Sequence, residues 1–189
     1  TRFVWIESPT NPLLKVIDIQ QAAEVAHSVG AHLVVDNTFA SPIFQSPLTL
    51  GADLVMHSLT KYIGGHSDII GGSLMLNDDV LEEQLRFIQF AAGAVNAPLD
   101  CFLLLRSIKT LAIRMATHQK NAFAVAEALK DMSAFGEVIY PGLTDHPQHS
   151  VATKQMSGFS GMVSVRLNGD FEQVTKFMQS LRVFSLAES

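Results

Sequence analysis

Six polar residues of this chain stand directly after short apolar runs, where their side chains can meet. They are Asn11, Asp36, Thr38, Ser58, Thr60 and Lys61. The apolar runs are typical of buried strands, and ligands of open α/β sheets bind outside the carboxyl ends of the strands. An amine, a carboxylate and hydroxyls at that edge can form a Schiff base with an aldehyde, hold a protonated ring nitrogen and bind a phosphate.

Pyridoxal 5'-phosphate (PLP) is a cofactor that needs this set of groups. The amine of Lys61 would join the cofactor aldehyde, and the carboxylate of Asp36 would keep the pyridine nitrogen protonated. Hydroxyls beside Lys61 would hold the phosphate. Asp36 and Lys61 lie about 25 residues apart, the length of one crossover between parallel strands, so they can occupy neighbouring strand ends.

On spacing alone, other interpretations of these residues stay open. An aspartate at a strand end is commonly a helix cap or a turn residue, and a single lysine is commonly a solvated surface group. A Schiff-base aldolase would use a similar lysine without needing Asp36. A binding or regulatory protein of the same fold, without catalytic activity, would need neither Lys61 nor Asp36. The patterns GxxxxGK[ST] and GxGxxG do not occur in the sequence, which disfavours a nucleotide-binding loop.

Strands and helices alternate along the first part of the chain. Strands are predicted at residues 3–6, 32–35, 54–56, 72–76, 138–140 and 162–165. Helices are predicted at residues 18–30, 98–132 (with a break near 106–107) and 171–181. The pattern indicates an α/β domain with a mostly parallel sheet over residues 1–112 and a smaller α+β domain over residues 113–189.

Composition narrows the classes of function. The chain has 189 residues, 48% of them hydrophobic and 16% charged, which is typical of a soluble globular protein. The net charge of −5 argues against a nucleic-acid partner, and no apolar run reaches the ~18 residues of a membrane span. Cys101 is the only cysteine, which fits a reducing, cytoplasmic compartment. Its apolar neighbours predict that Cys101 is buried rather than nucleophilic.

One segment carries a family resemblance. Residues 58–68, SLTKYIGGHSD, strongly resemble the PLP-attachment signature of the Cys/Met-metabolism enzymes. Residues 7–12, 35–38, 140–149 and 185–189 match the same family in the same order. The resemblance implies a fold-type I, aspartate-aminotransferase-like architecture. It also implies that the large domain lacks its N-terminal part and that the small domain is truncated.

The resemblance implies roles at the cofactor. Lys61 would be the Schiff-base lysine and the proton shuttle, and Asp36 would pair with the pyridinium nitrogen. Ser58 and Thr60 would bind the phosphate. Asn11 would contact the phenolic oxygen or the substrate carboxylate. Thr38 is grouped with these cofactor-binding residues.

Two residues at the end of the chain are expected near an amino-acid substrate. Ser189 would lie near the substrate carboxylate and Lys61, and Glu188 at the mouth of the pocket. The ending LAES at 186–189 resembles cystathionine γ-lyases and γ-synthases, and residues 3–12, 86–89 and 140–149 lean towards the lyases. The implied reaction is γ-elimination on cystathionine, with γ-synthase or methionine γ-lyase chemistry as alternatives. A homotetramer, a dimer of dimers, is implied as well.

Two departures from the family pattern lead to further expectations. Ser107 stands where glycine is usual, which serine tolerates unless the backbone needs a positive φ. The family's phosphate- and carboxylate-binding arginines have no counterpart here, so the chain is expected to be the central part of a larger polypeptide. Pattern places four arginines away from the strand-end edge: Arg106, Arg114, Arg166 and Arg182. No metal site is predicted, and the histidines at 57, 66, 146 and 149 are expected to be structural.

Overall fold

The structure is a computed structural model that describes residues 1–187 of the chain. Glu188 and Ser189, expected near the substrate, lie outside the described residues. The strands are β1 (Phe3–Glu7), β2 (His32–Asp36), β3 (Leu54–Ser58), β4 (Gly72–Met75), β5 (Phe135–Ile139) and β6 (Ser164–Leu167). The helices are α1 (Ile19–Ser28), α2 (Ser41–Phe44), α3 (Asp79–Ala92), α4 (Pro98–Ser107), α5 (Leu111–Lys130), α6 (His149–Gln155) and α7 (Phe171–Ser180).

Strands β1 to β4 form one sheet, in the order β1-β2-β3-β4. The first three strands run parallel, and β4 pairs antiparallel with β3. Leu33, Val34 and Val35 of the interior strand β2 are all buried, because both of its faces are covered. The predicted α/β class with a mostly parallel sheet is confirmed.

Helix α1 connects β1 to β2 and packs against the sheet. The carboxylate of Asp18 accepts a hydrogen bond from the backbone N–H of Gln21 at 3.1 Å, so Asp18 caps the helix as predicted. Ala23 and Ala26 are buried against strand residues. Gly30 follows the helix with a φ of +68°, a conformation that glycine adopts without a steric penalty.

The long helical stretch breaks where the sequence predicted. Helix α4 ends at Ser107, a 3-10 turn covers Ile108–Thr110, and α5 begins at Leu111. Ser107 has a φ of −64°, so this position does not require glycine. The prediction that Cys101 is buried is wrong, since Cys101 is exposed. Helix α4 contacts the protein near its C-terminal end, through Leu104 and Ser107, whereas Cys101 lies one turn closer to the start of the helix, where most residues are exposed.

The second part of the chain contains a separate small sheet. Strands β5 and β6 pair antiparallel, and α5 packs beside them. Tyr140, at the end of β5, is fully buried, and its hydroxyl donates to the backbone oxygen of Ser160 at 2.9 Å. The two sheets lie on either side of residue 112, but the division of the chain there stays a prediction. Among residues 1–187, no helix is long and apolar enough to cross a membrane.

Candidate active site

The carboxyl ends of β1, β2 and β3 lie side by side at one edge of the sheet. Glu7 is in register with Asp36, and Asp36 is in register with Met56. Ser58 ends β3, and a wide turn over Leu59–Ile63, here called the lysine turn, carries Lys61 away from it. The structure therefore brings Asp36, Ser58 and the lysine turn to the same edge.

The carboxylate of Asp36 is held by Thr38. Its Oδ1 accepts hydrogen bonds from the Thr38 hydroxyl at 2.6 Å and from the Thr38 backbone N–H at 3.1 Å. The same hydroxyl oxygen accepts from the backbone N–H of Ser58 at 2.9 Å. Thr38 thus links the end of β2 to the end of β3. Within residues 1–187, Asp36 has no salt-bridge partner, and its Oδ2 accepts no hydrogen bond.

Two titratable neighbours surround this carboxylate. Burial raises the pKa of Glu7, the Asn11 backbone N–H at 3.2 Å lowers it, and the charge of Asp36 raises it further. Burial lowers the pKa of His57 to about 4, against the opposing effect of the Asp36 charge. His57 is therefore neutral near pH 7. Its buried Nδ1 has no hydrogen-bond partner in the described part of the chain.

Asn37 joins the three strand ends from behind. Its backbone N–H donates to the Met56 oxygen at 3.0 Å, and its side-chain amide donates to the Ser8 oxygen at 2.9 Å. A second donation goes to Oε1 of Gln45 at 2.6 Å. The sequence analysis did not single out Asn37 for a role. The one signal in the sequence was the position of Asn37 between Asp36 and Thr38. A polar side chain that is buried at such a place is expected to form hydrogen bonds.

The lysine turn has its own hydrogen bonds. The N–H of Gly65 donates to the Lys61 oxygen at 2.7 Å, which closes the turn behind the lysine. The Thr60 hydroxyl oxygen accepts from the Gly71 N–H at 3.1 Å. Lys61 is half-buried, and no carboxylate of the described residues forms a salt bridge with its amine. The amine is thus not neutralised by a structural ion pair.

Asn11 and Arg114 also lie near the strand ends and the lysine turn. Asn11 lies in the loop after β1 and is exposed, so its side chain is accessible at the strand-end edge. The guanidinium of Arg114 contacts the lysine turn and donates to the Tyr62 oxygen at 2.6 Å. The prediction that Arg114 lies away from the site is wrong, because the first turn of α5 passes beside the lysine turn. By contrast, Arg166 pairs with Glu137 on the small sheet.

Two surface cavities lie elsewhere. One, of about 290 Å³, is lined by residues of β5, by Lys130 at the end of α5 and by His146 after β5. The other, of about 240 Å³, lies beside Asp53 and Asp78. Neither is lined by Asp36, Ser58 or the lysine turn. The candidate site is instead the open edge formed by the strand ends.

The groups at this edge fit PLP by their chemistry. Asp36 presents one carboxylate oxygen that accepts no hydrogen bond from residues 1–187, as a protonated ring nitrogen requires. Lys61 provides an amine that forms no salt bridge with residues 1–187, and Ser58, at the end of β3, is a half-buried residue with a hydroxyl. A phosphate accepts hydrogen bonds from hydroxyls and from backbone N–H groups.

Comparison with known proteins gives the same picture. Residues 1–189 match the model of the family described as Cys/Met metabolism PLP-dependent enzyme. The chain is 56% identical to cystathionine gamma-lyase of Dictyostelium discoideum and 52% identical to cystathionine gamma-synthase of Mycobacterium tuberculosis. Each match covers 100% of this chain and 49% of the relative, so the chain spans about half of their length.

Solved structures show the same fold. Cystathionine gamma synthase from Xanthomonas oryzae, in complex with cystathionine, matches with a TM-score of 0.97 and 47% identity. The match covers 100% of this chain and 49% of that chain. It confirms the predicted fold-type I architecture. Other similar proteins carry the names cystathionine beta-lyase and methionine gamma lyase.

Proposed function

The chain belongs to the Cys/Met metabolism PLP-dependent enzymes, and on that premise we propose that the protein catalyses γ-elimination on L-cystathionine. With one water, the products are cysteine, 2-oxobutanoate and ammonia. The observation that carries the proposal is the hydrogen-bonded link from Asp36 through Thr38 to Ser58, beside the turn that carries Lys61. The 56% identity to a cystathionine gamma-lyase supports the choice of reaction.

Each residue of the site has a proposed task towards the cofactor. Lys61 Nζ would hold the cofactor aldehyde carbon, and the Asp36 carboxylate would accept a hydrogen bond from the protonated ring nitrogen. PLP, when bound, supplies an electron sink for charge that builds up on the substrate. Ser58 and Thr60 would bind the phosphate. Ser58 is the stronger candidate, because the Thr60 hydroxyl already pairs with Gly71.

Lys61 would also move protons. When free, its amine would remove the proton from the substrate α-carbon. A positioned base of this kind contributes about 10²- to 10⁴-fold to a rate. Thr38 would contribute to cofactor binding by orienting Asp36, since its hydroxyl already donates to Asp36 and accepts from the Ser58 N–H. Asn11 is proposed to contact the cofactor's phenolic oxygen or the substrate carboxylate, and Glu188 and Ser189 the substrate.

A second candidate is γ-replacement, in which cysteine displaces the acyl group of an O-acylated homoserine. The 52% identity to a cystathionine gamma-synthase and the likeness to a synthase structure support it. Both reactions need the same lysine, carboxylate and phosphate contacts. They differ in whether the γ-substituent is only lost or is replaced by cysteine. The strand-end residues do not distinguish these two outcomes.

An assay of the full-length protein with two substrate sets separates these candidates. Incubation with cystathionine, followed by measurement of 2-oxobutanoate, tests the lyase. Incubation with an O-acylated homoserine and cysteine, followed by measurement of cystathionine, tests the synthase. We expect the first reaction to be faster. A faster second reaction would overturn the lyase assignment. No turnover with either substrate set would overturn both candidate functions.

We further propose that the protein works in the cytoplasm as a homotetramer. The family resemblance supports the tetramer, and the single cysteine supports a reducing compartment. Large apolar side chains stand exposed on α3 and α4, among them Phe87, Phe90, Phe102 and Leu105. Another subunit would remove that apolar surface from water. Light scattering on the full-length protein measures the assembly directly.

A further inference from the structure

Arg114, in the first turn of α5, donates hydrogen bonds both to the backbone just after Lys61 and to the end of α4. Its Nη1 donates to the Tyr62 oxygen at 2.6 Å, and its Nη2 donates to the Ser107 oxygen at 3.0 Å. A longer contact of 3.5 Å joins Nη2 to the Ile63 oxygen. One guanidinium thus spans two consecutive peptide groups of the lysine turn and the end of α4.

The guanidinium is itself held in place. Its Nε donates to the Thr110 hydroxyl at 3.0 Å, which fixes the plane of the fork. Among the described residues no carboxylate pairs with Arg114, so its charge is satisfied by carbonyl oxygens and one hydroxyl. Hydrogen bonds with a charged donor are roughly twice as strong as neutral ones. The planar fork reaches several acceptors at once, as an ammonium cannot.

Apolar packing presses the same two elements together. Ile63 of the lysine turn packs with Leu111 and Met115 of α5, and Tyr62 joins the same cluster. The Tyr62 ring also meets His118 edge-on, with 5.2 Å between the ring centres. The polar contacts of Arg114 therefore act on a segment that is already pinned on its apolar side.

Gly65 leaves the space that the guanidinium occupies. It has a φ of +73°, and a Cβ added there would lie 2.7 Å from the Arg114 Cζ. Any larger residue at position 65 would push the guanidinium off the lysine turn. The glycine of the attachment motif is thus matched to an arginine almost fifty residues further along the chain.

From this arrangement we propose that Arg114 is a positioning residue for Lys61, which holds the backbone of the lysine turn so that Nζ meets the cofactor and the substrate. The inference rests on the proposed function, because it assumes that Lys61 carries PLP. It does not depend on whether the reaction is elimination or replacement. Misplacing a reacting group by about 1 Å can cost 10²-fold in rate.

The test uses the full-length holoenzyme with Arg114→Ala, Arg114→Lys and the matched control Arg166→Gln. We expect Arg114→Ala to lower kcat by about 10- to 100-fold while KM changes little. The pH midpoint of the visible band of lysine-bound PLP should shift too. Added guanidinium ion should restore part of kcat, whereas urea at the same concentration should not. Arg114→Lys should fall between the alanine variant and the wild type, and Arg166→Gln should match the wild type.

Contrary outcomes separate the two hypotheses. Wild-type protein without the visible band would overturn the proposed function. A normal wild type, with Arg114 variants that lose only thermal stability and show neither a shift of the band's pH midpoint nor rescue by guanidinium, would overturn the positioning role. Should Arg114→Ala fail to fold, Arg114→Lys gives the same readouts.

A double-mutant cycle provides an independent check. Gly65→Ala should lower kcat in the wild-type background but much less in Arg114→Ala, where the space is already free. Backbone strain at position 65 is the same in both backgrounds and cancels. Additive effects would show that the glycine and the arginine do not act together.

Discussion

Thr38 donates its hydroxyl proton to Oδ1 of Asp36 over 2.6 Å. The Thr38 hydroxyl oxygen in turn accepts a hydrogen bond from the Ser58 N–H, so this single hydroxyl couples Asp36, the proposed partner of the pyridine nitrogen, to the strand end that leads into the lysine turn. The Thr38 hydroxyl therefore fixes the position of Oδ1 in the Asp36 carboxylate. Its position depends on the pairing of β2 with β3.

Thr38→Val should test this coupling. Valine keeps the shape but leaves the Ser58 N–H without its acceptor, which should destabilise the fold by about 1–3 kcal/mol. Activity should fall as well, because Asp36 loses a charge-assisted bond. Denaturant unfolding and kcat of the full-length protein are the measurements. Thr38→Ser, which keeps the hydroxyl, is the control and should stay near wild type. Equal losses in both variants would contradict the coupling.

Lys61→Ala should abolish both cofactor attachment and nearly all turnover. The amine is the group proposed to hold the cofactor aldehyde, and alanine has none. Borohydride reduction followed by mass spectrometry should find the PLP mass on the peptide that contains Lys61 in the wild type. The surface variant Lys176→Ala loses only an exposed salt bridge with Glu172. It should still carry the PLP mass on the Lys61 peptide. Label on another lysine would refute the assignment.

Asp36→Asn should retain some cofactor but lose most activity. The neutral amide cannot hold the ring nitrogen in its protonated form, and a charge-assisted hydrogen bond of this kind contributes about 1.5–3 kcal/mol. Steady-state kinetics and the visible spectrum of the purified variant report the two effects. Asp131→Asn, an exposed helix-end substitution, serves as the control. Wild-type turnover in Asp36→Asn would reduce Asp36 to a structural residue.

His57 should make stability depend on pH. Its pKa is lowered to about 4 by burial, against about 6.5 for an unburied histidine. Above pH 6.5 neither state is protonated, and the contribution is fully present. As the pH falls from 6.5 towards 4, the unfolded chain takes up a proton that the native state refuses, and up to about 3 kcal/mol is lost.

Unfolding of the apo full-length protein at pH 7 and pH 4.5 checks this window. The wild type should lose more free energy of unfolding between the two pH values than His57→Gln does. Between pH 7 and pH 8 the two proteins should show the same small change, which is the internal control. Identical slopes below pH 6.5 would mean that His57 is protonated in the native state.

Local pattern was enough to predict much of the fold. Short apolar runs bounded by turn residues predicted the buried parallel strands, and caps such as Asp18 and Gly30 act within one helix turn. The break at Ser107 followed from the length of the helical stretch. The placement of Asp36 and Ser58 at one edge followed from strand order, because parallel strands end on the same side.

Tertiary contacts decided the rest. Cys101 was expected to be buried from its apolar neighbours, but how much of α4 is covered depends on the surface against which the helix packs. The contact between Arg114 and the oxygen of Tyr62 joins residues 52 positions apart, and no spacing rule selects one arginine for it. The sequence by itself determined which groups could do the chemistry, since side-chain chemistry is local. Only the packed structure decided which residues hold Lys61 and Asp36 in place, because that depends on distances between distant segments.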